Sequence, residues 1–410
     1  MFGVARLHFN EKQTYDEVVL GDVIELQSGF AFSSTLFSEH GQKLVTPKNF
    51  TKSGNALFTP QNTKFTTERV NENYVCRPGD LLLLLTDLTQ SCELLGKPLG
   101  LREIDGEVLL NQRIVKVTPD SRRLVKNFLK QYFLTEKYHK RIVQTASGTT
   151  VRHSSNKILT SLELSLPNLE EQTKIAEFLD EVDKKIRLLE ARHEQLTLYK
   201  KAMMQKIFSQ AIRFKRVDGG DYPDWETKTL NELTEIVSGL TYSPSDVVSK
   251  GTLVLRSSNV QNGKLDFNDC VFVEKKIPPN IMSQEGDILL CVRNGSRRLI
   301  GKSAYVGKLD MPATHGAFMS VLRAKNSRFV FQLLNNERFL KLVHMDLGAT
   351  INSINTNNLK KYNFFVPSSE TEQQKIANFL SSLDDKIAAV SAQITQMQNF
   401  KKGLLQQMFV

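Results

Sequence analysis

The sequence has little of what a disulfide scaffold, a zinc knuckle or a membrane protein needs. Its four cysteines are Cys76, Cys92, Cys270 and Cys291. None forms a C-x-x-C pair, which argues against a zinc knuckle, and such sparse use is typical of a reducing compartment. The longest aliphatic run, residues 81–85, is far shorter than the roughly 20 residues of a membrane helix. Residues 1–10 have no apolar core of signal-peptide length, so we expect a cytoplasmic protein with no membrane contact.

Motifs of catalysis are also missing. The sequence contains no P-loop, no G-x-G-x-x-G and no Asp/Asn-Pro-Pro-Tyr/Phe, the catalytic loop of amino-methyltransferases. The segment Ile277-Pro-Pro-Asn280 is not such a loop, because no carboxylate or amide precedes its prolines. Asp224 and Glu226 crowd two acidic groups into one turn, whereas nuclease metal sites usually place them on different strands. The histidines are scattered without ligand or catalytic spacing, so we expect no enzyme, no metal and no cofactor in this chain.

What the chain does have is an internal repeat at an offset of 201 residues. One offset held without a gap over almost 40 residues is a strong signal. The matching segments are 172–179 with 373–380, 183–186 with 384–387, and 200–208 with 401–409. Upstream, only short landmarks match, such as Gly79-Asp80 with Gly286-Asp287. The pattern predicts a variable domain followed by a matched helix, used twice in a pseudo-twofold arrangement.

The two matched segments predict long helices. Pro167 and Pro367 each precede carboxylates, which are signals of a helix start. The apolar positions then alternate in steps of four and three, which is the spacing of a coiled-coil seam. The seam residues are Ile175, Leu179, Val182, Ile186, Leu189, His193 and Leu196 in the first helix, and Ile376, Leu380, Leu383, Ile387, Val390, Ile394 and Met397 in the second.

Each predicted helix is roughly 60 Å long at about 1.5 Å per residue and needs a partner for its apolar stripe. We expect the two helices to pair as an antiparallel coiled coil, with His193 as a polar residue that sets the register. Packing of each helix on its own domain is the alternative. The exposed faces and apolar tips of the helices are possible docking surfaces for other subunits.

The variable domains predict a mixed α/β (α+β) fold with short strands between turn residues. Expected strands include 108–110, 114–117, 253–255 and 317–322, and the expected helices are 123–135 and 328–345. Residues 209–229 have the composition of a linker. The predicted boundaries are 1–166 for the first domain, 167–213 for the first helix, 214–366 for the linker with the second domain, and 367–410 for the second helix.

Charge and loop composition indicate a polyanionic partner. The net charge is +10, which suits nucleic acid but also an ordinary basic protein. Several loops carry the types of side chain that contact base edges and phosphates. Arg can donate two hydrogen bonds to guanine, Asn can form two with adenine, and Lys or Ser contacts phosphate. The predicted DNA-binding residues are Lys48, Asn49, Thr150, Arg152, His153, Arg256, Ser258, Asn259, Arg293, Asn294, Arg297, Arg298 and Asn352.

The whole arrangement resembles the specificity (HsdS) subunit of type I restriction-modification enzymes. The resemblance is carried by the two matched helices, each opened by Pro, Glu, Gln and Lys-Ile-Ala-x-Phe-Leu, and by the variable domains between them. It implies two target-recognition domains that each read half of a split site in double-stranded DNA. It also implies two adenine-methylating modification subunits and ATP-driven restriction subunits as partners, with S-adenosylmethionine, ATP and magnesium bound there. Residues 1–17 match nothing in this pattern.

Two other functions remain open from the residues. One is a coiled-coil scaffold that joins proteins and ignores DNA, which a salt-sensitive mobility shift would oppose because phosphate contacts release counterions. The other is a self-contained DNA methyltransferase or nuclease, which the missing motifs oppose.

Overall fold

The computed structural model describes residues 15–87, 89, 91–148, 151–347 and 352–409. Within it the chain forms two compact units. Unit 1 comprises Met1–Glu190 with Ala392–Val410, and unit 2 comprises Ala191–Ser391. Each unit therefore contains one variable domain, part of the helix that follows it and part of the other long helix. The boundaries between units fall inside the long helices rather than between the helices and the domains.

The described part of unit 1 contains short strands and helices. The strands are β1 (Asp16–Val19), β2 (Ile24–Ser28), β3 (Phe37–Ser38), β4 (Gln42–Leu44), β5 (Lys64–Thr66), β6 (Val75–Cys76), β7 (Leu81–Leu84), β8 (Thr86–Asp87), β9 (Pro98–Gly100), β10 (Val108–Leu109), β11 (Ile114–Pro119), β12 (Arg152–His153) and β13 (Glu163–Leu166). The helices are α1 (Lys126–Tyr132), α2 (Glu136–Thr145), α3 (Asn156–Thr160) and α4 (Leu169–Phe208), of which α4 continues into unit 2.

Unit 2 repeats this plan. Its strands are β14 (Trp225–Thr229), β15 (Glu235–Ser238), β16 (Val247–Val248), β17 (Thr252–Leu255), β18 (Val260–Gln261), β19 (Lys264–Leu265), β20 (Phe272–Val273), β21 (Ile288–Cys291), β22 (Ser303–Tyr305), β23 (Ala313–His315), β24 (Met319–Arg323) and β25 (Asn363–Pro367). Its helices are α5 (Leu230–Leu233), α6 (Ser327–Leu334), α7 (Glu337–Asp346), α8 (Thr356–Lys360) and α9 (Glu370–Met408), and the end of α9 belongs to unit 1.

The central sheet has the same antiparallel topology in both units. Its strand order is β2-β11-β7-β9 in unit 1 and β15-β24-β21-β22 in unit 2. A second sheet, β3-β5-β4-β10-β6 in unit 1 and β16-β20-β17-β23 in unit 2, contains one parallel pair in each unit. The predicted α/β composition and the repeat are thus present in the fold.

The aliphatic run that stands out in the sequence is a strand buried on both faces. Leu81 and Leu83 of β7 pack against the helices, whereas Leu82 and Leu84 face the second sheet. The alternation follows from the two-residue period of a strand, and a strand between two layers has no polar face. In unit 2, Ile288 and Leu290 likewise face one core, and Leu289 and Cys291 face the other.

The helix predicted at 328–345 is two helices, α6 and α7, whereas the helix predicted at 123–135 corresponds to α1 alone and is followed by α2. In unit 1, the side chain of Thr135 accepts a hydrogen bond from the Tyr138 N–H and caps α2. In unit 2, Asn336 caps α7 through the Arg338 N–H. A side chain that satisfies a free N–H marks the start of a new helix, so the prediction of one helix over 328–345 was wrong, and the prediction at 123–135 missed α2.

The linker predicted at 209–229 ends in a strand. Residues 225–229 form β14, which pairs with β25, and the equivalent strand β1 pairs with β13 in unit 1. Trp225 is buried in the core of unit 2, so this strand is part of the fold of that unit rather than of a linker. Within the described part of the chain, no helix is long and apolar enough to cross a membrane.

Each unit contains an antiparallel pair of helix segments held by an ion pair. In unit 1, Lys401 donates two hydrogen bonds to Asp183, of 2.7 and 2.8 Å, and Gln131 of α1 donates a third of 3.0 Å. In unit 2, Lys200 donates to Asp384 at 2.6 Å. The counterpart of Gln131, Gln332, donates to Asp384 at 2.8 Å.

These two triads are related by the repeat. Gln, Asp and Lys each recur at the offset of 201, and in each unit the lysine comes from the helix that did not supply the aspartate. Apolar side chains of both helices join the same core in unit 1, where Leu179 and Val182 cluster with Leu404 and Met408. The internal repeat is therefore visible in polar contacts as well as in the apolar positions of the helices.

Candidate nucleic-acid interface

The topology of unit 1 brings four loops to one edge of its sheets. Strands β4 and β10 are parallel and end on the same side, and β7 ends beside the start of β11 because those two strands are antiparallel. Strand β12 pairs with β8, directly after β7. The edge comprises residues 45–49, 85–87, 110–113 and 152–153, and is called loop edge 1. Loops on a rigid scaffold are a common place for binding residues.

Two side-chain networks shape loop edge 1. The Asn49 carboxamide oxygen accepts from the Thr46 N–H at 2.7 Å and from the Thr46 hydroxyl at 2.8 Å, which closes the turn. Lys48, between them, is exposed. On the β8–β12 side, the Thr86 hydroxyl lies 3.0 Å from Nδ1 of His153, whose side chain is also exposed.

Unit 2 has the corresponding edge, called loop edge 2, formed by residues 255–259, 292–298, 316–318 and 352–353. Strands β17 and β23 are parallel there, and β21 is antiparallel to β24. Hydrogen bonds join its segments. The Asn294 amide donates to the Ser257 hydroxyl at 2.8 Å, and its N–H donates to the Asn352 carbonyl at 3.3 Å.

Arginines give loop edge 2 its charge. The guanidinium of Arg293 lies over the ring of Phe318, 5.6 Å from its centroid, and Phe318 is 56% exposed. Arg256 pairs with Asp269 at 2.8 Å, while its Nε and the Ser258 hydroxyl are buried with no hydrogen-bond partner among the described residues. A buried polar group without a hydrogen-bond partner costs free energy, and a polar ligand that bonds to it would recover that cost.

The predicted DNA-binding residues fall into three groups. Asn49 and Asn259 are completely buried and cap equivalent turns, so they shape the edges and do not face a ligand. Lys48, His153, Arg293, Arg297 and Arg298 are exposed, although Arg297 donates to the Leu347 carbonyl at 3.0 Å. The half-buried ones are Arg152, Arg256, Ser258, Asn294 and Asn352, and Thr150 lies outside the described residues.

Sequence reasoning missed Phe318 and its counterpart Arg113. Both lie in the turn that precedes the central strand of the sheet, and their carbonyls accept equivalent hydrogen bonds from Val292 and Leu85, each of 3.1 Å. A short turn between two strands carries no sequence signal of its own. The strand register at β11 and β24 would have located it.

The seam positions of the helices are graded in burial. The buried ones are Ile175, Leu179, Val182, Ile186, Leu189, Ile376, Leu380, Leu383 and Val390. The half-buried ones, toward the middle and the end of the helices, are His193, Leu196, Ile387, Ile394 and Met397. Asp183 and Lys401 form a buried ion pair between the helix segments of unit 1. The heptad pattern alone would predict that these two charged side chains are solvated.

Burial lowers the pKa of Lys401, and the neighbouring Asp183 carboxylate opposes that shift. In unit 2, burial also lowers the pKa of His315, which lies at the end of β23 beside loop edge 2. Within the described residues, no group of His, Cys, Asp and Glu side chains has the arrangement of a metal site.

A comparison with known families shows the class of protein to which the chain belongs. The model of the type I restriction modification DNA specificity domain matches residues 12–198 and 222–398. The chain belongs to this family. It is similar to the type I restriction enzyme MjaVIII specificity subunit of Methanocaldococcus jannaschii, with 27% identity over 82% of this chain and 79% of that one. It is also similar to the EcoKI specificity subunit of Escherichia coli K12, with 27% identity over 46% of this chain and 43% of the relative.

Solved structures share the fold. The S subunit of a type I restriction-modification system from M. genitalium matches with a TM-score of 0.63 and 16% identity over 99% of both chains. A chain from a study of complex assembly and conformational transition of the type I restriction-modification system matches with a TM-score of 0.54 and 14% identity. It covers 96% of this chain and 97% of that one. The family model therefore confirms the resemblance carried by the helix motifs, and the solved structures confirm the fold.

A type I specificity subunit recognises DNA sequence and has no catalytic role, and this chain is one. The family therefore rules out the self-contained methyltransferase or nuclease and the scaffold that ignores DNA. The two domains that the family model matches correspond to the two halves of the internal repeat.

Proposed function

We propose that the chain reads a bipartite, asymmetric DNA site, with one half-site read at each loop edge. The observation that carries this proposal is that the two edges share one backbone plan and differ in side chains. Both turns after the second-sheet strand are closed by an asparagine cap, with Thr46 and Arg256 in its first position. Thr86 and Arg293 also occupy equivalent places, because they are the second residues after β7 and β21.

The side chains at the two edges present different hydrogen-bonding groups. Loop edge 1 offers the exposed imidazole of His153, which lies 3.0 Å from the buried hydroxyl of Thr86. Loop edge 2 offers the exposed guanidinium of Arg293 and the half-buried amide of Asn352. Because donors and acceptors in the major groove distinguish all four base pairs, different groups on one frame select different half-sequences. A non-palindromic site follows.

Partner subunits carry the chemistry in this proposal. Assembly with modification and restriction subunits of a type I system fits the family. We propose two modification subunits because the chain contains two copies of one domain-and-helix plan. S-adenosylmethionine, ATP and magnesium would bind to those partners, in accord with the missing catalytic motifs here. A complex that acts on cellular DNA works where that DNA is, so we propose the cytoplasm as its compartment.

The experiment that tests the proposal starts with the full chain co-expressed with its modification subunit. Methylated adenines are mapped in the host genome, and the motif is then synthesised as a duplex for binding measurements. Preference for a motif of two unequal halves over a scrambled duplex supports the proposal. Equal affinity for both duplexes, or a palindromic motif, contradicts it.

The salt dependence of binding checks the electrostatic part. Each phosphate contact made by a cation releases counterions, so the affinity falls as salt rises. The scrambled duplex should show a similar slope with weaker binding, because phosphate contacts carry no sequence information.

A further inference from the structure

Phe318 is held at the centre of loop edge 2. Its carbonyl accepts hydrogen bonds from two successive N–H groups, of Val292 at 3.1 Å and Arg293 at 3.0 Å. These bonds fix the turn before β24 to the loop after β21. The ring is nevertheless 56% exposed, although a large apolar side chain at the end of a core strand would ordinarily turn inward.

The ring and the Arg293 guanidinium form one composite surface. The guanidinium carbon lies 5.6 Å from the ring centroid, within the range of a cation–π contact. Such stacking limits the positions that the arginine can take and leaves the edge of the ring free for a ligand. An arginine fork matches guanine O6 and N7, and an apolar ring matches the 5-methyl group of thymine.

Unit 1 presents a different group at this place. Arg113 occupies the equivalent turn, and its carbonyl accepts from the Leu85 N–H at 3.1 Å. One edge therefore places a cation where the other places an aromatic ring. A residue needed only to build the shared frame would not differ in this way.

We propose that Phe318 is a specificity-determining residue that contacts the 5-methyl group of a thymine, beside a guanine read by Arg293. The inference rests on the proposed function, because it assigns one base contact within the half-site read at loop edge 2. It predicts that this half-site contains a guanine next to a T·A pair whose methyl group contributes to affinity.

Replacement of thymine by uracil tests this contact directly, because it removes the methyl group and keeps every hydrogen-bonding group of the base. The full chain in complex with its modification subunit is bound to the mapped duplex, and each thymine is replaced in turn. One replacement next to a guanine should weaken binding about fourfold, the worth of one buried methyl group. The Phe318→Ala variant should bind the thymine and uracil duplexes equally.

Arg113→Ala is the matched control, since it changes the equivalent turn of the other unit. It should leave the uracil effect unchanged. Phe318→Ala should not affect folding, because more than half of its ring is exposed. Should that variant fail to assemble, Phe318→Asn serves in its place with the same expectation.

The outcomes separate the two proposals. Failure of the wild-type complex to prefer the mapped duplex over a scrambled one would overturn the proposed function. If that preference holds, the Phe318 contact is overturned by the absence of any uracil effect. It is also overturned by a uracil effect that persists in Phe318→Ala, or by one that Arg113→Ala abolishes.

Discussion

Removal of the buried ammonium group of Lys401 should destabilise unit 1 strongly. The perturbation is Lys401→Met, which keeps the length of the side chain and removes its charge. In the native unit, the side chains of Lys401 and Asp183 are 8% and 4% exposed. Asp183 accepts two hydrogen bonds from Lys401 and one from Gln131. The variant leaves a buried carboxylate with the Gln131 bond alone.

The magnitude follows from the burial of that carboxylate. Loss of one partner from a buried ion pair costs about 3–5 kcal/mol, because the remaining charge is neither solvated nor paired. In unit 2, Asp384 is 35% exposed and keeps its bond from Gln332 when Lys200 is replaced. Water can solvate that carboxylate, so Lys200→Met should cost roughly 1 kcal/mol or less.

The double variant Asp183→Leu with Lys401→Met distinguishes the loss of the ion pair itself from the cost of burying an unpaired carboxylate. With both charges gone, no unpaired charge is buried, and the buried Gln131 amide keeps its 3.3 Å hydrogen bond to Asp180, so stability should return to near the wild-type value. We therefore predict an order of stability for the three variants rather than one value. Lys401→Met should be least stable, followed by Lys200→Met, with the double variant nearest to the wild type.

The assay is urea unfolding of the full chain followed by circular dichroism, together with hydrogen exchange of amides in residues 169–190 and 392–408. Exchange should become faster in those segments for Lys401→Met and stay unchanged for the double variant. The reasoning is refuted if Lys401→Met is no less stable than Lys200→Met. It is also refuted if the double variant is as unstable as Lys401→Met.

Three further predictions concern pH, base contacts and spacing. Burial lowers the pKa of His315, so just below pH 6.5 the unfolded chain binds this proton and the folded chain does not. The free energy of unfolding should therefore decrease as the pH is lowered in this range, by up to about 1.4 kcal/mol per pH unit. The decrease should be less steep in His315→Gln, whose amide can still donate to the Val237 carbonyl. An equal slope in both proteins in urea titrations would disprove this source. Arg293→Ala should cost about 1–3 kcal/mol of binding at one base pair of one half-site, whereas uniform weakening across all duplexes would indicate a phosphate contact instead. Insertion of one heptad into both α4 and α9 should widen the gap in the methylated motif and leave each half-sequence unchanged; altered half-sequences would rule out a spacer role.

The repeat and the long helices could be predicted from the sequence because their signals are periodic. The steps of four and three, and the prolines before acidic residues, locate α4 and α9 to within a few residues of Leu169 and Glu370. The strand candidates were also close, since 253–255 lies inside β17 and 114–117 inside β11. Regular spacing is a local property of the sequence, so it can be recognised without knowledge of the tertiary fold.

Helix α2 was missed although the signal of its start was present. Thr135 is followed by Glu136, a cap residue and then a carboxylate in the first turn of the next helix. Asn336 and Glu337 carry the same signal between α6 and α7. There the apolar positions continue the helical pattern across the break, and that continuity hid the cap.

The contacts that matter at the loop edges depend on strand register and could not be predicted in this way. Asn49 and Asn259 appear in polar loops and are typical of base contacts, yet their amides are used inside the protein to close turns. Phe318 looks like an ordinary core residue until the turn before β24 places it outward. Buried Lys401 and Asp183 are likewise indistinguishable in sequence from solvated charges.

The central claim is that each half of the chain reads its own half of one DNA site. The most direct measurement exchanges residues 1–166 for the corresponding domain of another family member and maps methylated adenines in cells that express the chimera with its modification subunit. The account predicts that one half of the methylated motif changes, while the other half and the gap between them stay the same. A motif in which both halves change, or neither does, would contradict it.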